Sequence, residues 1–278
     1  MSNHKISYTG DSYHKFRPSY SQEIYSLIYQ FHSQTGGEYT LAIDAGCGTG
    51  QSTAALSKQF TKVYGIDTLK DQLDCAITKD NITYKLGPAE DLSGFKDGTV
   101  DMVSVATAFH WFQQDIFFRQ VKRVLKPNGT LAVFSYYYPV ITDTPEANGV
   151  IQDLTEGDFD KYANSNIHYI KNMYREIQFP FDTQKWYISP ETADTTHISE
   201  TINAPLMEAS MTIDRFADYM KTSSAYFNYL EDPENAGKED PVDKMISKLM
   251  KLLDVTDTGY IIHLEWPTVL VLAKNNTN

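Results

Sequence analysis

The residues of this chain best suited to chemistry are carboxylates and glycines gathered at the ends of two short apolar runs. Leu41 to Ile43 leads into Asp44, after which Gly46, Gly48 and Gly50 alternate through a turn that also holds Cys47. Glycine in such a turn supplies positive φ, or lets a ligand approach the main chain with no Cβ in the way. A second run, Val63 to Ile66, ends in Asp67. A carboxylate at the C-terminal end of that strand can accept from both hydroxyls of a ribose, an ordinary helix N-cap being the alternative. Asp44 suits a cationic group on a ligand, its alternative being a cap on the turn itself. His110 stands in the segment Ala106-Thr107-Ala108-Phe109-His110-Trp111-Phe112. Its imidazole titrates near neutrality when unperturbed, which permits a general base, an orienting hydrogen bond or a loop-fixing contact. The two acidic strand ends outline a nucleoside-binding crevice.

Strands and helices must place these groups. Strand-like segments recur at Leu41–Asp44, Val63–Ile66, Ile82–Leu86, Val100–Ala106 and Thr130–Tyr136, alternating with helical patterns at Gln51–Phe60, Lys70–Lys79 and Gln113–Lys126. This alternation predicts an α/β architecture, a mostly parallel sheet with helices on both faces. In the third helix Ile116, Phe117, Val121, Val124 and Leu125 share an apolar face, so Arg119 and Arg123 read as a solvated face rather than a substrate site. Pro127-Asn128-Gly129 then stops the helix. After Pro139 the rhythm breaks, and Val140–Met211, aromatic and weakly periodic, reads as a cap insertion over the C-terminal edge of the sheet. Helical patterns return at Ile213–Tyr229 and Val242–Leu253. Two last strands, Tyr260–Glu265 and Thr268–Ala273, flank Trp266-Pro267 closely enough to predict an antiparallel hairpin. The expected organisation is an N-terminal lid and first helix over 1–36, a ligand-binding core over 37–139 and 212–278, and a substrate cap over 140–211.

Composition narrows the partners. With 36 acidic against 24 basic residues, a net charge of −12 and no run rich in Lys or Arg, a nucleic-acid partner is not expected. Two cysteines, Cys47 and Cys75, are too few for a disulfide framework and point to a reducing compartment. Met1 to Gly10 lacks an apolar signal core and no apolar run approaches the length of a membrane span, so the expectation is a cytoplasmic protein with no membrane partner. No metal is called for.

The glycine spacing decides between nucleosides. A dinucleotide turn reads Gly-x-Gly-x-x-Gly, but counting from Gly46 the third position is Gln51, and the extra glycine is Gly50. Asp44 would also repel a pyrophosphate. It suits S-adenosylmethionine, which carries a sulfonium and an ammonium and no phosphate. The turn Asp44-x-Gly46-x-Gly48-x-Gly50 resembles motif I of the class I S-adenosylmethionine-dependent methyltransferases. The segment from Ala106 to Phe112 resembles the Ala-x-Ala-x-His-Trp-Phe signature of their trans-aconitate methyltransferase-like branch, of fungal type. Pro88-Ala89-Glu90, Asp97-Gly98-Thr99-Val100-Asp101, Arg123-Val124-Leu125-Lys126-Pro127-Asn128-Gly129 and the opening Tyr13-His14-Lys15-Phe16-Arg17-Pro18-Ser19-Tyr20 extend the match. It covers Tyr13 to about Tyr138 well and the terminal hairpin moderately. The cap matches only in its aromatic character.

That resemblance implies a Rossmann-like seven-stranded mostly parallel sheet with an antiparallel C-terminal hairpin, helices on both faces and a cap. It implies S-adenosylmethionine as cofactor and a small-molecule acid as acceptor, methylated on a carboxylate oxygen, trans-aconitate being an example. Asp44 would hold the ammonium, and Gly46, Cys47, Gly48 and Gly50 would admit the methionyl part. Asp67 would take the ribose. Ala89 and Glu90 would line the adenine, although Pro88 stands where many relatives carry Asp. Ala106 and Trp111 would flank the cofactor, and Arg17 and Tyr20 would close over it in a lid with Tyr13 and Phe16. His110 is the catalytic candidate. For the acceptor, Arg175, with Arg17, is the candidate carboxylate clamp. Tyr136 and Tyr138 leave the fifth strand beside the site, and Trp186 with Tyr187 could wall the pocket, simple packing being the alternative for the cap aromatics. A carboxylate acceptor needs no base, only alignment and exclusion of water. A hydroxyl or carbon-acid acceptor would make His110 the base. An NAD-type oxidoreductase, a non-catalytic S-adenosylmethionine-binding protein and a protein methyltransferase stand as rivals.

Overall fold

The structure, a computed structural model, describes residues 17–190 and 205–276. The expected lid residues Tyr13 and Phe16, and residues 191–204 of the expected cap, lie outside that description. The strands are β1 (Leu41–Ala45), β2 (Lys62–Asp67), β3 (Ile82–Leu86), β4 (Val100–Ala106), β5 (Leu125–Tyr136), β6 (Val140–Ile141), β7 (Thr183–Ser189), β8 (Glu208–Thr212), β9 (Ile261–Glu265) and β10 (Thr268–Lys274). The chain divides into two units. The larger comprises Ser19–Tyr137, His168–Leu206 and Thr268–Asn278, the smaller Met1–Pro18, Tyr138–Ile167 and Met207–Pro267.

The larger unit is built on a seven-stranded sheet of order β3-β2-β1-β4-β5-β10-β7. Strands β3, β2, β1, β4 and β5 run parallel, and β10 is antiparallel to both β5 and β7. β1, β4 and β10 are apolar along nearly their whole length because both faces of the sheet are covered. Helix α1 (Gln22–Gln34) begins where the Ser21 hydroxyl accepts from the Ile24 N–H, and turns Ile24, Tyr25, Ile28 and Phe31 inward against β5 and β10. Short helices α2 (Gln51–Leu56) and α3 (Lys70–Asp74) follow β1 and β2. Helix α4 (Gln114–Val124) packs on β5 with Phe117, Phe118, Val121 and Val124 buried. Successive residues of β5 serve opposite faces. Phe134 meets Tyr25 of α1 edge to face at 6.0 Å, and Ser135 turns away from it.

The smaller unit holds a three-stranded antiparallel sheet, β6-β9-β8. Its helices are α5 (Asn148–Gln152), α7 (Ile213–Met220), α8 (Ser224–Glu231) and α9 (Pro241–Leu252), while α6 (Ile167–Lys171) bridges into the larger unit's segment. Among the described residues no helix is long and apolar enough to cross a membrane.

Several expectations need correction. The mostly parallel seven-stranded sheet is present, but the last strand's partners are β5 and β7, and β9 belongs to the other sheet. The patterns explain why: β9 alternates exposed and buried positions, as a strand with one open face does, whereas β10 is buried throughout. The expected cap over 140–211 contains β7, an integral strand of the large sheet, and Met207–Pro267 falls in the smaller unit rather than in the core. The expected grouping of a lid with the first helix also divides, since Arg17 lies in the smaller unit and α1 in the larger. The single helix expected over Ile213–Tyr229 breaks at Lys221–Ser223, where the Ser223 hydroxyl caps the Tyr226 N–H of α8. Pro127–Gly129 lies inside β5 as an irregularity, with Asn128 at φ +68°, and the register to β4 jumps from Val100↔Leu125 to Met102↔Thr130.

Candidate active site

The site is assembled where the parallel strands end, in the turns that follow β1, β2, β3 and β4 of the larger unit. After β1 the chain folds back over the end of β2, with the Gly46 and Cys47 N–H groups both donating to the Ile66 carbonyl, at 2.8 and 3.0 Å. Gly46 takes φ +69°, and a Cβ on it would stand 2.4 Å from the Ala108 Cβ. Gly50 takes φ +81° as the N-cap of α2, and a Cβ there would meet the Tyr84 hydroxyl at 2.0 Å. These two glycines are required by conformation and by space. Beside Gly48 the space is open, the nearest atom to an added Cβ being the Gln72 Oε1 at 3.7 Å.

Asp67 ties the turns together. Its Oδ2 accepts from the Gly48 N–H at 2.8 Å and its Oδ1 from the Leu69 N–H at 2.9 Å, so the carboxylate organises both turns. Each oxygen keeps a further lone pair for a ligand hydroxyl.

Asp44 is fully buried. Its Oδ2 accepts from the Thr53 hydroxyl at 2.6 Å, while its Oδ1 has no hydrogen-bond partner. Burial pushes its pKa up to about 7, the Asp67 charge adding to the rise and the Thr53 and Ser52 hydroxyls opposing it. Ser104, the register partner of Asp44 on β4, likewise buries a hydroxyl without a partner. With the unpartnered Gln72 Oε1 beside Gly48, the crevice is rich in acceptors and poor in cations. A ligand bringing an ammonium and hydroxyl donors completes these groups, and a pyrophosphate does not. The residues present fit S-adenosylmethionine.

Cys47 is buried, and burial raises its thiol pKa, which makes it a packing residue of the turn rather than a nucleophile. Ala89 is buried after β3, but the Glu90 Oε1 already accepts from the Gln113 N–H at 2.6 Å, at the start of α4. Glu90 therefore anchors a helix end, and its suitability for adenine rests on its other oxygen. Beyond Ala106 the chain turns sharply, with Thr107 at φ +52° and its N–H donating to the Phe134 carbonyl at 2.8 Å. Tyr20 donates to the Thr107 hydroxyl at 2.9 Å and packs edge to face on Phe134, with Tyr136 6.0 Å away. Tyr20, Ala106 and Tyr136 are thus brought together.

The turn Phe109–Trp111 orients its two functional rings differently. His110 is 4% exposed and Trp111 53%. Burial lowers the His110 pKa to about 4, so its imidazole is neutral at physiological pH. Trp111, Leu69 and Leu86 leave large apolar side chains open at the ends of the strands. Sequence reasoning missed Leu69, Leu86, Thr53, Gln72 and Tyr84. Thr53 and Gln72 had a signal, each lying in the helix that follows an acidic strand end.

The acceptor candidates divide. Arg175 is half-buried in the larger unit, directly after Tyr174. Trp186 is a correction: it is a buried residue of β7, donates to the Gln184 Oε1 at 3.0 Å and packs on Phe179, so it belongs to the sheet and not to a cap. Arg17 and Tyr138 belong to the smaller unit. There Arg17 donates to the Thr222 carbonyl at 3.2 Å and lies over the Tyr219 ring, and Trp266 donates to the Tyr219 hydroxyl at 3.0 Å. Tyr138 stands near Ser223 and the Arg17 charge, with burial raising its pKa. Arg119 is exposed, and Arg123 binds the Phe95 and Leu92 carbonyls and the Asp97 carboxylate, as a structural residue does.

Known proteins match this arrangement. The model of a methyltransferase domain family matches residues 43–133. A methyltransferase of Dictyostelium discoideum is 32% identical over 272 residues, 97% of this chain and 94% of that protein. The S-adenosylmethionine-dependent methyltransferase CRG1 of Saccharomyces cerevisiae is 29% identical over 279 residues, 94% of each chain. The structure of a type II methyltransferase from Anaeromyxobacter dehalogenans superposes with a TM-score of 0.71 at 23% identity, covering 95% of this chain and 100% of that one, which shows a shared fold. Likeness over nearly the full length of a relative thus agrees with a crevice suited to a sulfonium donor, and the chain belongs to the class I S-adenosylmethionine-dependent methyltransferases.

Proposed function

We infer that the enzyme methylates a small organic acid on a carboxylate oxygen, trans-aconitate being the first acceptor to try. The observation that carries this reading is the state of His110. Buried and neutral, with a pKa held near 4, it is a poor general base at neutral pH, which favours an acceptor that brings its own nucleophile. A carboxylate does. The donor supplies a methyl carbon activated by a sulfonium. A carboxylate oxygen would need no proton removed by the chain before accepting that methyl group. What the chain contributes is alignment and dryness.

In this reading Asp44 holds the ammonium, the turn Gly46–Gly48 admits the methionyl part, and Asp67 with Leu69 and Gln72 holds the ribose side. Ala89 leaves room for the adenine. His110 orients the acceptor oxygen as a neutral hydrogen-bonding group, Trp111 walls the methyl-transfer end, and Arg175 supplies charge for the acid. The test is incubation with labelled donor and trans-aconitate, other small acids, phenols and amines, followed by mass spectrometry of the products. A methyl ester cleaved by mild base is expected. Transfer to phenols or amines with none to acids would overturn the reading.

A further inference from the structure

Thr107 is where the chain leaves β4, and it leaves in a conformation that threonine avoids. Its φ is +52°. A β-branched residue in that region is an outlier that only its surroundings can hold. Two hydrogen bonds do so. The Thr107 N–H donates to the Phe134 carbonyl at 2.8 Å, and the Thr107 hydroxyl accepts from the Tyr20 hydroxyl at 2.9 Å. Tyr20 reaches that bond from a fixed position. Its ring stands edge to face on Phe134 at 4.8 Å, with Tyr136 at 6.0 Å, and Phe134 is fully buried and also meets Tyr25 of α1.

What Thr107 sets is the position of the turn that follows it. A Cβ on Gly46 would stand 2.4 Å from the Ala108 Cβ and 3.2 Å from the Phe112 ring, so this turn rests directly on the glycine turn after β1. It is also closed on itself. The Trp111 N–H donates to the Ala108 carbonyl at 3.0 Å and the Phe112 N–H to the Phe109 carbonyl at 3.1 Å. Residues 108–112 therefore take their place from the backbone angles of Thr107. A Thr107 relaxed to the ordinary region of φ would displace Ala108 and Phe112 from Gly46, and with them one wall of the donor crevice. That wall depends on a conformation Thr107 does not favour alone.

We propose that Tyr20 is a positioning residue for donor binding: its hydroxyl holds Thr107 in the left-handed conformation that seats Ala108 and Phe112 against the Gly46 turn. Tyr20 acts on S-adenosylmethionine through Thr107, so its role is independent of which acceptor is methylated. The ring supplies the placement on Phe134, and the hydroxyl supplies the bond. A neutral hydrogen bond is worth a factor of about two to ten in an equilibrium constant. The left-handed conformation costs a residue with a Cβ a comparable factor. One bond is therefore enough to decide where the turn lies.

The test is a double-mutant cycle on the full-length protein, read as the calorimetric Kd for S-adenosylmethionine. Tyr20→Phe keeps the ring and removes the bond, and weakens donor binding about three- to ten-fold. Thr107→Val keeps the shape and removes the acceptor. It costs about as much, and the double variant costs little more than either alone. Thr107→Ala is the second acceptor-free variant, used in the same cycle if the valine protein does not fold. Thr107→Ser retains the hydroxyl and binds the donor within about two-fold of wild type. Melting temperatures without donor distinguish a bond that only stabilises the fold. An unchanged donor Kd in Tyr20→Phe overturns the proposal, whatever happens to its melting temperature. So do losses that add in the double variant, because the two hydroxyls then act separately.

Discussion

Asp44→Asn separates the charge of the most deeply buried carboxyl from its shape. In the folded protein Asp44 has a pKa near 7, raised first by burial, against 3.8 for the free side chain. Between those values the folded state binds a proton that the unfolded state does not. The contribution of this group to stability is therefore fully present below the unfolded pKa and is lost as pH rises through the folded one. The loss runs at about 1.4 kcal/mol per pH unit and totals about 4 kcal/mol. Asparagine cannot ionise, so the variant lacks this slope. Urea unfolding of both proteins without ligand, from about pH 5 to about pH 8, should show the stability of wild type relative to the variant falling by about 1.4 kcal/mol per unit and levelling off above pH ~7.5. Taking the difference cancels every other titrating group. With saturating S-adenosylmethionine the ammonium holds Asp44 ionised, so the slope should vanish in wild type, and the variant should bind the donor more weakly. A difference that does not vary with pH, or equal donor affinity in both proteins near pH ~8, would refute a carboxyl that waits protonated for a cationic ligand.

Asp67→Ala removes the acceptor for the Gly48 and Leu69 N–H groups, and should lower donor affinity by roughly 1.5–3 kcal/mol in calorimetry, an unchanged Kd contradicting the ribose assignment. His110→Gln tests the opposite sign. With a folded pKa near 4 against 6.5 unfolded, His110 contributes stability that is present above pH ~6.5 and lost as pH falls through the folded pKa. The variant should therefore be flatter with pH by up to about 3 kcal/mol in urea unfolding, and parallel wild-type and variant curves would show that the imidazole is solvated. Gly50→Ala puts a Cβ where φ is +81° and the Tyr84 hydroxyl stands 2.0 Å away, so it should cost about 1–3 kcal/mol and donor binding together. A melting temperature equal to wild type would show that the turn has room.

The parallel half of the larger sheet was legible because each of its parts is local. Asp44 to Gly50, Asp67 and the segment around His110 each sit within one strand-and-turn unit, so spacing along the chain reports spacing in the fold. The antiparallel part was not legible on the same terms. Thr183–Ser189 begins in exposed polar residues and ends in buried ones, a gradient that matches neither period, and its aromatics Trp186 and Tyr187 read as pocket walls. The separation of Ile261–Glu265 from Thr268–Lys274 was visible in principle, since one alternates and the other is apolar throughout, but proximity in sequence argued for pairing. Tyr174 had no local signal at all, because Phe109, on which its ring packs, lies far upstream.

The placement of Thr268–Lys274 between Leu125–Tyr136 and Thr183–Ser189 has a consequence for biosynthesis. On the ribosome the two flanking strands emerge well before the strand that lies between them. Until the closing segment is in place, both present unsatisfied amide edges to other nascent chains. Completion is thus the late insertion of seven residues into a waiting slot. A chain lacking those seven residues would present two adhesive borders, a natural substrate for chaperones.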